Sequence, residues 1–188
     1  MLRTKNNLAI VGLMNIILLS ASSLSLAESN KTQTVFYVDT SGSTGHVNYD
    51  IHLNSDCSPI SDNPVYNYYK KSDGSTRQLN NLEQEGYSIA SQSVSGKTVN
   101  LTIGAFQHHG IEKSIAITTS KLANGTCQTR AFTTINGTQT QLAYAHVEVN
   151  RTQILGQTVG VHILNISLVG TNQRSETVAC SSNCRYGL

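Results

Sequence analysis

From Thr34 onward the chain alternates apolar and polar side chains in short runs separated by turn residues, the signature of strands. Thr34-Val-Phe-Tyr-Val-Asp39 is the first run, Ser41-Gly-Ser-Thr-Gly45 is a flexible turn, and His46 is read as part of that turn. Val47 to Leu53 alternates cleanly, with Val47, Tyr49, Ile51 and Leu53 on one face and His52 on the other. Pro59 and Pro64 bound a loop, Val65–Tyr69 is a third strand, and Asp73-Gly74 turns the chain. The period changes once. Ser75 or Thr76 can cap a helix, Leu79 and Leu82 share a face three residues apart, and Gly86 can end it.

Strands are predicted again over Tyr87–Val94, Thr98–Phe106 and Lys113–Ser120, with turns at Ser95-Gly96 and His108-His109-Gly110. Asn124-Gly125 and Asn136-Gly137 are strong hairpin signals and imply a meander of Ser114–Ser120, Thr126–Ile135 and Gln139–Val149. The last strand, Thr158–Val169, is apolar at both parities: Val159, Val161 and Ile163 against Leu164, Ile166 and Leu168. That pattern predicts a strand buried on both sides. Eight or nine strands with short turns predict an all-β fold, an antiparallel β-sandwich or partly closed barrel with one short helix. Only the segments Glu28–Gln33 and those after Cys184 read as loose.

The N-terminus has a different character. Arg3 and Lys5 precede the apolar stretch Leu8–Leu19, and Ser25-Leu26-Ala27 places small residues three and one before a cut. This is the pattern of a secretory signal peptide over residues 1–27, leaving 28–188 as a single β domain. The apolar core is shorter than the roughly 20 residues of a membrane span. The full chain has 13 Lys+Arg against 11 Asp+Glu, so loss of Arg3 and Lys5 leaves 11 of each. These charges are scattered, without the basic stripe of a nucleic-acid binder.

Cys57, Cys127, Cys180 and Cys184 all lie beyond the leader, and an even count in an exported chain reads as disulfides. Of three possible pairings, Cys180–Cys184 as a local clip with Cys57–Cys127 as the long link is favoured. A loop as long as the second would stabilise by roughly 4 kcal/mol. The competing reading, a zinc site of Cys180, Cys184 and histidines, lacks a second cysteine pair or a His-x3-His to complete it.

Several segments, taken in order, resemble a family of exported proteins catalogued as domain of unknown function 4833. They are Val35-Phe-Tyr-Val38; Val47-Asn-Tyr-Asp50; Asn63-Pro-Val-Tyr-Asn-Tyr-Tyr69; Leu79-Asn-Asn-Leu-Glu83 with Tyr87; Thr134-Ile-Asn-Gly137 to Leu142; and Val161 to Gly170. The similarity runs from about Val35 to Glu176. This chain has Tyr68-Tyr69 where the family tends to have Trp, and Gly86-Tyr87-Ser88 where Ala-Tyr-Gly is usual. The resemblance implies a bacterial envelope or secreted setting, periplasmic or extracellular, and carries no activity with it.

Chemistry-bearing residues are few. His108 and His109 are adjacent on a turn. Tyr144, His146 and Glu148 share one face of a strand whose other face is Ala145, Val147 and Val149; that triplet is a polar surface stripe or part of a hydrolytic site. His162 sits in the most apolar strand and reads as a core histidine. No Gly-x-Ser-x-Gly elbow, His-Glu-x-x-His helix or phosphate-binding glycine loop is present. No catalytic, cofactor-binding or metal-ligating residue is therefore nominated. Tyrosine is distinctive, with 8 in the chain and Tyr66 and Tyr68 on one face of a strand against Tyr69 on the other. Such rings offer apolar area with a polar tip to a sugar or peptide, or else fill a core. Asn30, Asn100, Asn124, Asn136, Asn150 and Asn165 each begin an Asn-x-Ser/Thr sequence. The expected role is a non-enzymatic binding or scaffolding module with an unidentified envelope or extracellular partner. The alternatives are a barrel carrier of a small apolar ligand and a hydrolase using the Tyr144/His146/Glu148 face.

Overall fold

The run from Thr138 to Ile154 is the member around which the molecule is assembled. The computed structural model describes residues 31–108, 113–181 and 184–187, and over them the chain forms twelve strands and two short helices. In order these are β1 Lys31–Thr40, β2 Gly45–Leu53, β3 Val65–Lys71, β4 Thr76–Arg77, α1 Asn81–Tyr87, β5 Ile89–Ser95 and β6 Thr98–Ile103. Then come α2 Gly104–His108, β7 Ile115–Lys121, β8 Cys127–Ile135, β9 Thr138–Ile154, β10 Gln157–Gly170, β11 Ser175–Ala179 and β12 Arg185–Gly187. The proposed leader lies outside the described residues.

β9 is 17 residues long and serves two groups of strands. Along one edge it pairs first with β8, through Thr138–Gln141, and then with β1, through Tyr144–Val147. Along its other edge it pairs with β10 from Leu142 to Ile154. The strand order β4-β3-β2-β1-β9-β8-β7-β6-β5 curls into a half-barrel. Across the remaining gap the side chain of Gln92 on β5 imitates a neighbouring strand: its Oε1 accepts from the Val65 N–H at 3.1 Å and its Nε2 donates to the Val65 carbonyl at 3.2 Å. The barrel is thus partly closed.

The apolar parities all point inward. Phe36, Val38, Tyr49, Ile51, Leu53, Leu101, Ile103, Ile115, Ile117 and Ile163 are at most 2 % exposed, so the middle of the barrel is filled. Two disulfides brace it: Cys57–Cys127 ties the β2–β3 loop to the start of β8, and Cys180–Cys184 clips the connection from β11 to β12. The Cys57 carbonyl also accepts from the buried Thr119 hydroxyl at 2.6 Å.

The all-β class and the meander of β7, β8 and β9 agree with the sequence, while several details differ. The sheet is mixed, because β1 runs parallel to β9. There are two helices: the predicted strand Thr98–Phe106 ends at Ile103, and the chain bends at Gly104 into α2. A side chain at Gly104 would press on the carbonyls of Glu85 and Gly86, and the Gly104 N–H donates to the Ser88 carbonyl at 2.8 Å. Thr76 is a strand residue beside Lys70, and the helix cap is Asn80, whose side chain accepts from the Glu83 N–H. Gly86 lies inside α1, and Tyr87, predicted to open a strand, is its last residue. Lys31–Gln33, expected to be loose, pair with Ile51–Leu53, and the segment after Cys184 is β12, paired with β10. His46 stands in β2, paired with Asp39, and not in the turn.

The double-sided apolar character of β10 has a local cause. A bulge between Ile163 and Asn165 resets the alternation, so Val161, Ile163, Ile166 and Leu168 all face the core. His162 falls at the opposite parity and is half-buried, not a core residue. β10 is interior in a different sense: it has β9 on one edge and β11 and β12 on the other.

Candidate functional site

At one end of the half-barrel the inward parity turns from apolar to polar. On β1 the inward series Phe36, Val38 continues to Thr40; on β2 it begins at Gly45; on β3 it ends at Tyr69; on β9 the series Ala145, Val147, Val149 continues to Arg151. These positions, with α1 and β12 laid across them, enclose a cavity of about 350 Å³. Its floor is Val38, Val47, Val149 and Val161, and its walls include Leu82, Glu83, Tyr87 and Tyr186.

Each wall is held in place by identifiable contacts. Asn80 and Glu83 form a reciprocal capping box at the start of α1. Glu83 is also bound by both terminal nitrogens of Arg77, at 2.6 and 2.7 Å, and the Arg77 guanidinium lies 4.0 Å above the centre of the Tyr69 ring. The Tyr69 ring in turn covers Gly45, where a Cβ would lie 2.9 Å from it. At the other end of α1, the Tyr87 carbonyl accepts from the Tyr49 hydroxyl at 2.5 Å and the Asn67 amide at 2.6 Å.

The hydroxyls of Tyr87 and Tyr186 meet over the cavity, and Tyr87 also shares a 2.7 Å hydrogen bond with Thr40 Oγ1. Burial raises both phenols above their ordinary pKa, so both remain neutral; the nearby Arg151 charge pulls the other way. β12, which carries Tyr186, is fitted closely. A Cβ at Gly187 would strike the Val159 carbonyl and the Leu82 side chain, one at Gly86 would strike the Tyr186 hydroxyl, and the Gly187 N–H donates to Glu85 at 3.1 Å.

Arg151 Nη2 donates to the Ser43 hydroxyl at 3.1 Å. Among the described residues no carboxylate lies within 4.0 Å of its guanidinium. The sequence held a signal for it: the stripe Ala145, Val147, Val149 extends by one more step of two to Arg151, a charge at an inward parity.

The residues singled out from the sequence stand elsewhere. Tyr144, His146 and Glu148 do share the outer face of β9, but each is engaged by a neighbouring strand. Tyr144 stacks on Tyr37 at 5.2 Å, His146 Nδ1 is 2.7 Å from Asp39 Oδ1, and Glu148 accepts from the Asn165 amide at 2.5 Å. His108 ends α2, and His109 lies outside the described residues. Among the described residues no cluster of three or more His, Cys, Asp or Glu is arranged to hold a metal.

The outer face also gathers the tyrosines. His52 stacks on Tyr66, Tyr66 packs beside Tyr68, and Tyr37 lies between His46 and Tyr144. Rings stacked on one another cover part of one another's faces, which reduces the flat area available to a sugar ring. Beneath them the Tyr68 hydroxyl joins Asn48 and Asp50, both at 3.1 Å. The remaining oxygens, Asn48 Oδ1 and Asp50 Oδ1, are buried without a partner among the described residues. A second, open hollow of about 540 Å³ borders this face beside Tyr66, Tyr68 and Arg77.

The sequence profile described as Domain of unknown function (DUF4833) matches residues 36–179. The chain belongs to this family. The DUF4833 segment contains the floor of the cavity, α1 and Arg151, and ends just before the Cys180–Cys184 clip and Tyr186. No curated protein and no solved structure matches the chain. Among the described residues no helix is long and apolar enough to cross a membrane.

Proposed function

We propose that this member of the DUF4833 family is an exported, non-enzymatic binding module that holds a small molecule in the cavity between α1, β9, β10 and β12. In this reading the leader 1–27 is removed and 28–188 acts as one domain in the periplasm or outside the cell; the two disulfides suit that oxidising setting. The observation that carries the reading is the cavity itself. Its volume is within the range of small-molecule sites, its floor is apolar and a few polar groups converge on it. The filled interior argues against a ligand in an apolar barrel lumen, and the mutual stacking of the outer tyrosines argues against that face as a planar sugar platform.

A fragment screen read by amide NMR of the oxidised protein tests this. Shifts from different hits should converge on Val38, Val149, Val161 and Tyr186. Hits that converge on the outer tyrosine face, or a screen with no hits, would remove the cavity from consideration.

A further inference from the structure

We infer that the ligand of this cavity is a compact carboxylate with an apolar body, its acid group paired with Arg151. The inference rests on the cavity being the binding site and adds the chemistry of what fits there.

The charge balance of the lining gives the sign. Glu83, the carboxylate on the wall, is fully committed: Oε1 is bound by Arg77, and Oε2 by Arg77 and the Asn80 N–H. Arg77 and Glu83 therefore cancel. Arg151 is left as the net charge, with a fork of N–H donors and, among the described residues, only the Ser43 hydroxyl within hydrogen-bond distance. An apolar ligand would desolvate that guanidinium and give it nothing in exchange. A cation would be repelled by it. A carboxylate matches the fork in a two-point geometry and forms charge-assisted hydrogen bonds.

Position supports the same choice. Arg151 stands at the mouth of the cavity: it projects from the inward parity of β9, paired with Val161 on β10, and its guanidinium reaches the exposed turn at Gly42 and Ser43. Tyr87 and Tyr186 line the same cavity, and Arg151 and the Arg77-paired Glu83 both act on their hydroxyls. Those hydroxyls are held to one another and, through Tyr87, to Thr40 Oγ1. Beneath that mouth the lining is the buried apolar floor of Val38, Val47, Val149 and Val161. One anionic end and one apolar end are thus specified, and about 350 Å³ restricts the body to a compact one.

The test compares hydrocinnamate with hydrocinnamyl alcohol, which share a body and differ in charge, and with inorganic phosphate, which has charge and no body. Each is titrated into the oxidised protein, wild type, Arg151→Gln and Arg151→Lys, with amide NMR locating the site. Hydrocinnamate should shift Val149, Val161 and Tyr186 and bind about tenfold or more tighter than the alcohol or phosphate, the scale of a charge-assisted pair. Arg151→Gln should remove that advantage while leaving the weak alcohol binding and the unfolding midpoint unchanged, and Arg151→Lys should keep part of it. Equal binding of acid and alcohol at these amides, or an acid affinity unmoved by Arg151→Gln, overturns the acid assignment and leaves the cavity as a site. Phosphate binding as tightly as hydrocinnamate overturns the apolar body. Failure of all three to reach these amides overturns the acid assignment, and whether the cavity reading falls with it is read from the fragment screen.

Discussion

Gln92 is the residue on which closure of the barrel turns. Its amide occupies both backbone groups of Val65, a residue only 3 % exposed, where the sheet would otherwise have an open edge. Gln92→Ala should leave a buried N–H and C=O unpaired and lower stability by about 1–3 kcal/mol in urea unfolding. Gln92→Glu should be worse, because a carboxylate cannot donate to the Val65 carbonyl. Leu155 is the opposite case. It is fully exposed at φ 51°, in a tight turn with Gly156 at φ 79°, a backbone region that suits Asn better than a branched apolar side chain. Leu155→Asn should raise the unfolding midpoint, a gain of up to about 1 kcal/mol; an unchanged or lower midpoint would show that Leu155 contributes in some other way. Glu176 gives a pH signature. Hydrogen bonds from Lys113 and from the Asn136 N–H hold its carboxyl below its ordinary value of 4.5. A depressed carboxylate stabilises the fold above that value and loses its effect as pH falls through the folded pKa. The stability difference between wild type and Glu176→Gln should therefore be present at neutral pH and shrink below about pH 4.5, as followed by denaturant midpoints across that range.

At the scale of elements, α1 is short and owes its placement to its two ends. The capping box and the Arg77 fork fix the start, and the Tyr87 carbonyl, held by Tyr49 and Asn67, fixes the finish. The helix could be seen in the sequence as a change of period, but its cap was displaced because Ser75 and Thr76 are equally good caps by residue type. Pairing of Thr76 with Lys70 decided the matter, and no local signal announces a two-residue strand. β10 shows a second limit of local pattern. Apolar residues at both parities mean burial on both faces only when alternation is unbroken, and one bulge at Leu164 brings them to a single face. β12 is three residues long and is kept in register by the Cys180–Cys184 clip and the fit of Gly187.

For the whole molecule, the two disulfides act at different ranges. Cys57–Cys127 spans 70 residues and Cys180–Cys184 spans 4. On the chain-entropy account their removal lowers stability by about 4 and about 2 kcal/mol respectively. Replacing Cys57 and Cys127 by Ala should shift the global unfolding transition by the larger amount. Replacing Cys180 and Cys184 should instead loosen β12, so that hydrogen exchange rises at Tyr186 and Gly187 while Ile117 and Ile163 in the core stay protected. Equal exchange changes in core and strap would show that the clip braces the fold as a whole and not the cavity wall. Curling is what gives this molecule an interior and a cavity at once. The middle fills with Val, Ile, Leu and Phe, and the polar ends of the same inward stripes enclose a hollow.

The amino-acid order alone determined what depends on neighbours a few residues apart. The strand-rich class, the meander through Asn124-Gly125 and Asn136-Gly137, the inward stripe of β2 and the family resemblance all follow from period, turn chemistry and the succession of short motifs. The tertiary structure decided what depends on residues far apart in the chain. It set the parallel pairing of β1 with β9, the bridging of Val65 by Gln92 and the docking of β12 beneath α1. It also brought Thr40, Tyr87, Arg151 and Tyr186 into the lining of one cavity. The physical reason is separation: those four residues span 146 positions from first to last (186 − 40), and no local periodicity records which strand ends a curled sheet will gather.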